Sequence, residues 1–566
     1  MFIFENLLRN EYFPRELPPC FHSESFANNH EQIKNMVKDI EPGSSEPLTF
    51  SGYKNTNSRR KFAIPNPCQY AKAAYIIVDN SAEIFSIFSA VRCSLTAPLG
   101  TPPSEDEAYK KAVKDISQSK EKIKKLYQNN LYEIRLDIQA FFDSVYTHSI
   151  AWAIHSKKEA KKNKQNKLLI GNKIDNCLQN LNSGQTNGLL VGNAISRIAS
   201  EIILCRVDNE IKSRNLDFSY LRYVDDYYIF TKEFSKVNDI LAIFRQELAK
   251  FELELNENKL VINESPFYYG KLWVEQMRIY SRFEPQLFLE KAIIEYHIHK
   301  DIAILKYALK VIRGITFNIN EWKIIQPTIF NIWVKFPSLS NVIAAIFKNN
   351  EVNVSASLLK KAIYTILDIH IALRNDEEII WATWLSKVFH IKLSHKYINQ
   401  LLDTENWLAI IIVLDILSSR KSDTSIKKII NKFRERIIDE YFSISNPADG
   451  MLTDIWLLAY EADKNKWLNT NGTDTFLYAR KHPFFKELRE LNIDFYNGNY
   501  NYDIIEKSNS DFNIYVTRKE LINLLKEYKQ LSEVQRVMET TPPTVVNLEE
   551  RLYQKIANAL AHTNEY

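Results

Sequence analysis

Two adjacent aspartates, Asp225 and Asp226, sit inside an apolar and aromatic run, LRYVDDYYIF at residues 221–230. β-Branched and aromatic residues on both sides predict a strand, a tight turn and a second strand. Ionised carboxylates taken out of water need a partner. Hard divalent cations choose carboxylate oxygen, so a fold that buries this hairpin calls for a cation such as Mg2+. An Asp-Asp pair on a strand also occurs as an ordinary edge or turn feature, and the rest of the chain has to decide between the two.

The 566 residues are too many for one ordinary core, and only 12 are glycine. Few glycines mean few tight turns, which favours long helices over a many-stranded sheet protein. The expected organisation is α+β over residues 1–285 and all-α over 286–566. In the second half, Ile302–Ile312, Leu358–Leu373, Trp407–Leu417 and Ile426–Tyr441 space apolar residues by three and four. Helix pairs stacked as a HEAT-like repeat fit this pattern, and so does an irregular helical domain, because no clean period emerges. Trp407–Leu417 is interrupted by Asp415 and too short to span a bilayer, so it is expected to be a buried core helix. Another amphipathic helix is expected after Thr540–Pro543. A net charge of +4 gives no global attraction for nucleic acid, leaving only local patches. Five cysteines, odd in number and without a C-x-x-C pair, argue against a disulfide framework and a zinc ribbon. With no signal-peptide pattern at the N-terminus, a cytoplasmic protein that does not engage a membrane is expected.

Four further segments carry chemistry. In LDIQAFFD (136–143) a strand would deliver Asp137 beside Asp225 and Asp226, building a two-metal site for nucleotidyl transfer. Asp143 reads better as a helix-start or ion-pair residue, and Phe142 as core or as a sugar contact. In GLLVGNAIS (188–196), Gly188 and Gly192 flank a turn before a helix and allow backbone to approach a base or sugar. In RRKFAIPN (59–66), Arg59 and Arg60 suit a triphosphate, since guanidinium groups bind phosphate in a bidentate way; a solvated surface pair is the plain alternative. Lys157, Lys158, Lys161, Lys162, Lys164 and Lys167 form either a solvated loop or a phosphate-contacting one. His148 and His155 are too far apart in sequence to suggest a shared metal and read as structural.

In order, R-R-x-x-x-I-P, L-D-I-x-x-F-F-D, G-L-x-x-G-N-x-x-S and R-Y-V-D-D resemble the fingers and palm motifs of reverse transcriptases, over roughly residues 55–265. The runs RRKFAIPNP, VYTHSIAWAIH, SRIASEIILC and YFPRELPP are similar to the abortive-infection, or unknown-group (AbiK-like), reverse transcriptases of bacterial phage defence. The resemblance implies a reverse-transcriptase fingers–palm domain followed by a helical domain in place of the conventional thumb. It implies that Asp137, Asp225 and Asp226 hold two Mg2+, that Phe142 blocks a ribose 2′-hydroxyl, and that Arg59, Arg60 and Gly192 contact the nucleotide. Lys259, in LNENKL, falls where the family has a lysine able to protonate pyrophosphate, although a surface lysine fits equally.

The activity implied is an antiphage DNA polymerase that takes dNTPs, makes single-stranded DNA and self-associates into a homo-oligomer. Where templated enzymes read G-x-P-Q-G, this chain has Leu190 and Val191, so template support is reduced and untemplated synthesis is expected. Two alternatives stand beside it: a templated reverse transcriptase using an associated RNA, and a non-catalytic oligomeric scaffold or phage sensor. Without a thumb to clamp a primer, the resemblance implies that synthesis starts on a tyrosine side chain, leaving the product covalently attached. Among 29 tyrosines, Tyr53 in a polar stretch and Tyr566 at the end of the chain suit a mobile priming residue best.

Overall fold

The alternation around the two aspartates is realised as a hairpin within a small sheet. A computed structural model describes residues 2–499 apart from 56–57, 91, 112–118, 215–216, 268–270, 282, 316, 421–422, 444–445 and 470–475. Tyr566 and the segment after Thr540–Pro543 lie outside the described residues. Strands β1 (Leu48–Asn55) and β2 (Ser58–Ile64) form an antiparallel hairpin. Strands β3 (Tyr132–Leu136), β4 (Ser219–Tyr223), β5 (Asp226–Thr231) and β6 (Val261–Glu264) form an antiparallel sheet in the order β4-β5-β3-β6.

One face of that sheet is apolar: Ile134 and Leu136 of β3 and Tyr227 and Ile229 of β5 are buried. Beneath it runs the helix Ala194–Ser213, buried on nearly every side and started by Asn193, whose side chain accepts from Ser196 N at 2.9 Å. The helix Val237–Ala249 packs beside it and brings Phe244 edge-on to Tyr227. Period-two alternation sends the polar partners, Arg135, Asp226 and Tyr228, to the opposite face. The polar stretch before Arg59 is the β1–β2 hairpin, with Phe50 stacked on Phe62 at 5.3 Å.

Beyond residue 285 all described regular structure is helical. Sequence neighbours pack together, as Ala356–Leu373 does with Asp376–Val388, and several helices also pack on the second one along. Ile302–Arg313 meets Ser340–Asn349, Ile319–Lys335 meets Ala356–Leu373, and Asp376–Val388 meets Trp407–Ser418, which in turn meets Trp456–Asn465. Stacked helix pairs produce this neighbour pattern, but helix lengths run from 8 residues (His395–Leu402) to 18 (Ala356–Leu373), so no uniform unit repeats. Trp407–Ser418 is the expected core helix, with Trp407 to Leu414 and Leu417 all buried. No single described helix is long and apolar enough to cross a membrane; the bent pair Ile319–Lys335 and Pro337–Asn349 passes on composition but folds back by 117°.

The two ends of the described chain are tied together. His22 N donates to Phe495 O at 3.1 Å, Asn497 N to Cys20 O at 2.8 Å, and Trp381 Nε1 to Glu16 O at 2.8 Å. Buried Glu461 accepts from Phe495 N at 2.7 Å and Tyr496 N at 3.2 Å, and burial pushes its carboxyl up to about 7. The Phe495 ring sits among Tyr12, Phe26, Trp456 and Tyr460. One continuous apolar cluster therefore runs from Phe2 to Tyr496. Phe495→Ala should cost about 3–5 kcal/mol, the usual penalty for emptying a buried ring site. Urea unfolding followed by far-UV circular dichroism and tryptophan fluorescence checks this. The expected outcome is one earlier transition on both probes, and two separate transitions would contradict the shared core.

Candidate active site

The β4–β5 turn is made by Val224 and Asp225, with Tyr223 paired to Asp226 across it. Val224 takes φ 56°, a strained conformation for a β-branched residue that surrounding structure has to enforce. Arg222 does so. Fully buried, it donates from Nη1 to Val224 O at 2.9 Å, from Nη1 and Nη2 to Glu201 at 3.2 and 3.1 Å, and from Nε to Asp208 Oδ2 at 2.8 Å. Thr96 completes the frame: its Oγ1 donates to Glu201 Oε1 at 2.5 Å and accepts from Val224 N at 3.1 Å. Burial raises the Asp208 pKa while Arg222 opposes it.

Asp137 follows β3, and its neighbour Ile138 bridges to Leu255. Asn256 holds it from both sides, N to Asp137 O at 2.8 Å and Nδ2 to Asp137 Oδ2 at 3.1 Å. Lys259 Nζ lies 2.7 Å from the same Oδ2, and that bond raises the lysine pKa, so Lys259 keeps its proton at neutral pH. Arg135, Asp137, Asp226, Tyr228, Lys259 and Val261 line an open cleft of about 160 Å3. Burial raises the Asp225 pKa, with Asp137 adding to it, while Lys259 and Arg60 pull it down. For Asp226, burial and then the Asp225 and Asp137 charges push the pKa up to about 6. The four expected residues Asp137, Asp225, Asp226 and Lys259 are thus gathered at one place. Among the described residues, however, no three His, Cys, Asp or Glu side chains converge as a ready-made metal cage. Three neighbouring carboxylates have the donor chemistry that suits a hard divalent cation.

The paired arginines part company. Side chains alternate along β2, so Arg59 and Arg60 face opposite ways. Arg60 is exposed on the face shared with Phe62 and is near enough to Asp225 to lower its pKa. Arg59 is not at the cleft; it makes a two-pronged ion pair with Glu378, Nη1 to Oε1 at 2.8 Å and Nη2 to Oε2 at 2.6 Å. Burial would lower the Arg59 pKa, and Glu378 outweighs it. Tyr53 pairs with Arg59 across the hairpin and so lies on that same side, its N donating to Glu377 Oε2 at 2.7 Å. It belongs to a hydrogen-bonded strand rather than to a mobile stretch.

Gly192 has a structural reason to be glycine: at φ 110° an added Cβ would meet Pro14 Cγ at 2.7 Å and the Phe62 ring at 3.4 Å. Its neighbour Val191 offers its carbonyl to Ala63 N at 3.0 Å, and Leu190 is buried. Phe142, half-buried and edge-on to Phe141 at 5.4 Å, accepts Leu189 N at 2.7 Å through its carbonyl. Asp143 is exposed in the same one-turn helix. His155 is structural, accepting from Gly171 N at 3.0 Å, and His148 pairs with Asp175. Lys158, Lys161, Lys162, Lys164 and Lys167 are exposed, while Lys157 lies 4.0 Å over the Trp152 ring. None of the five cysteines is disulfide-bonded.

Sequence reasoning missed Asn256, Glu201, Asp208 and Glu378. Arg222 carried a signal: a cation at an inward strand position among apolar residues demands buried acids. Replacing it with methionine leaves Glu201 and Asp208 uncompensated and should cost about 3–5 kcal/mol in chemical denaturation. Asp226→Asn should act in the opposite direction. A carboxyl raised in the fold destabilises it as pH climbs from the unfolded value near 4 through about 6. In EDTA at pH 7 the asparagine variant should therefore be more stable, by about 1 kcal/mol because solvent reaches this side chain, and the gain should vanish at pH 4. Thermal melts at the two pH values check it.

Residues 97–272 match the family model described as reverse transcriptase (RNA-dependent DNA polymerase). Similar solved structures include telomerase from Candida albicans in complex with a TWJ fragment of telomeric RNA, at 10% identity and a TM-score of 0.29 over 75% of this chain and 65% of that one. Apo telomerase from Candida tropicalis aligns at 12% identity and a TM-score of 0.29, over 76% of this chain and 74% of that one. This chain thus spans slightly less than two thirds of the first telomerase chain. A comparison with curated proteins gives no match. With the family match falling on the segment that contains Asp137, Asp225, Asp226 and Lys259, residues 97–272 are a reverse-transcriptase domain.

Proposed function

We propose that this chain is an antiphage DNA polymerase of reverse-transcriptase type, acting in the cytoplasm on dNTPs. The observation that carries the reading is the gathering of Asp137, Asp226 and protonated Lys259 at one cleft of the reverse-transcriptase domain, with Asp225 beside them. Domains of this family use divalent metal ions, and Asp137, Asp225 and Asp226 are the residues that would hold Mg2+. When bound, the ions would supply activation of a hydroxyl nucleophile and charge stabilisation at the phosphate. Lys259 holds a proton at Nζ beside Asp137, suited to a departing pyrophosphate. Arg60 offers a cation on the hairpin side of Asp225, suited to the triphosphate.

Untemplated synthesis belongs to the same proposal. The 188–193 loop presents buried Leu190, and its Val191 carbonyl is already engaged by Ala63, which supports weak template contact. Protein priming belongs to it as well, with the hydrogen-bonded setting of Tyr53 weighing against that tyrosine. Self-association through the helical half is supported by the exposed residues Leu287, Ile294 and Ile298, which share one helix face.

Asp225→Asn or Asp226→Asn should abolish dNTP incorporation in Mg2+, by three orders of magnitude or more, as roughly expected when a metal-binding carboxylate is removed. Incorporation of labelled dNTP by the folded variants measures it, and retained activity would refute the catalytic reading. Phe142→Ala should raise rNTP use relative to dNTP use, read from the kcat/KM ratio of the two. An active variant with an unchanged ratio would make Phe142 a packing residue only.

A further inference from the structure

The β1–β2 hairpin is a two-stranded ribbon, and such a ribbon is marginal alone, so its position depends on what it is tied to. On one side Phe62 packs against Gly192, and Ala63 N bonds Val191 O at 3.0 Å. On the other side, the helix Asp376–Val388 meets the outer edge of β1 with an acidic first turn. Ser51 N donates to Asp376 Oδ2 at 2.8 Å and Ser51 Oγ to Arg374 O at 3.1 Å, while Tyr53 N donates to Glu377 Oε2 at 2.7 Å. Arg59 closes the set with its two bonds to Glu378, whose side chain is only 3% exposed, and with a third from Nη2 to Ser51 O at 3.0 Å. The helix start thereby fills the open edge of the hairpin. A bidentate guanidinium–carboxylate pair fixes orientation as well as distance.

Arg60 is the next residue along β2, exposed on the opposite face and without an ion pair among the described residues. Any shift of Arg59 moves the Arg60 backbone with it. We propose that Glu378 is a positioning residue for nucleotide binding: by gripping Arg59 it sets where Arg60 meets the triphosphate. This inference rests on the polymerase reading above and adds to it that the helical half reaches into the nucleotide site through one ion pair. Misplacing a positioned group by about 1 Å can cost a hundredfold in rate, so a small slackening of the clamp is measurable.

The test uses full-length protein, equilibrium binding of a fluorescent dNTP in Mg2+, and steady-state incorporation. Glu378→Gln, which keeps the shape and removes the charge, should weaken dNTP binding and raise KM by roughly tenfold, with kcat changed less than about threefold. Arg60→Ala should weaken binding at least as much. Because Glu378 acts through Arg60, adding Glu378→Gln to Arg60→Ala should change nothing further. The charge exchange Arg59→Glu with Glu378→Arg should restore binding to within about threefold of the parent, which also covers the case of a single variant that does not fold. Effects of Glu378→Gln and Arg60→Ala that multiply, or a loss confined to kcat, would overturn the proposal while leaving the polymerase reading intact. A parent protein that binds no nucleotide would overturn both.

Discussion

One buried guanidinium decides whether the Asp-Asp turn can exist. Val224 at φ 56° would relax if the turn were free, and relaxation would swing Asp225 and Asp226 away from Asp137. Arg222 prevents this by bonding the Val224 carbonyl while anchored on Glu201 and Asp208 of the helix Ala194–Ser213. Burying one cation with two acids is costly, and well-packed apolar side chains would serve stability as well or better. What apolar side chains cannot provide is direction. The network therefore reads as a device for holding a strained backbone, with its cost offset by the packed sheet and helix around it.

The three clustered carboxylates were legible in the sequence because their setting is local. Two acids in a β-branched and aromatic run, and a third at the end of another strand, mark themselves by contradicting their surroundings. The long helices were legible for a similar reason: Trp407–Ser418 and Ala356–Leu373 carry their spacing within themselves. Residues defined by distant partners stayed hidden. Glu378 meets Arg59 across 319 positions, and Asn256 meets Asp137 across 119, separations that no periodicity reports. The Arg-Arg pair misled because residue type suggested two phosphate ligands, whereas strand alternation gives its two members opposite surroundings.

The same alternation explains how one short hairpin serves two halves of the chain. Its Phe62 face belongs with Gly192 and Pro14, next to the palm sheet, and its Arg59 face belongs to the helical half. Gly52 and Gly192 are the positions where a side chain would force these layers apart: a Cβ on Gly52 would fall 2.5 Å from the Phe62 ring. Together with the Phe495 contacts to Tyr12 and Phe26, this joins the two halves into a continuous core.

The charge balance at the cleft follows from these constraints. Asp137, Asp225 and Asp226 bring three negative charges, and Lys259 and Arg60 are the cations that act on Asp225 from outside the triad. Burial is the first cause that holds Asp226 up at about 6, and repulsion from Asp225 and Asp137 adds to it. A third fixed cation, wedged among the aspartates, would relieve that repulsion but fill the cleft. Leaving a net negative charge instead keeps the cleft open and makes it attractive to a small divalent cation. The raised carboxylates are thus a cost carried by the fold in the absence of ligand, and the buried Arg222 network is what keeps the turn from relaxing to escape it.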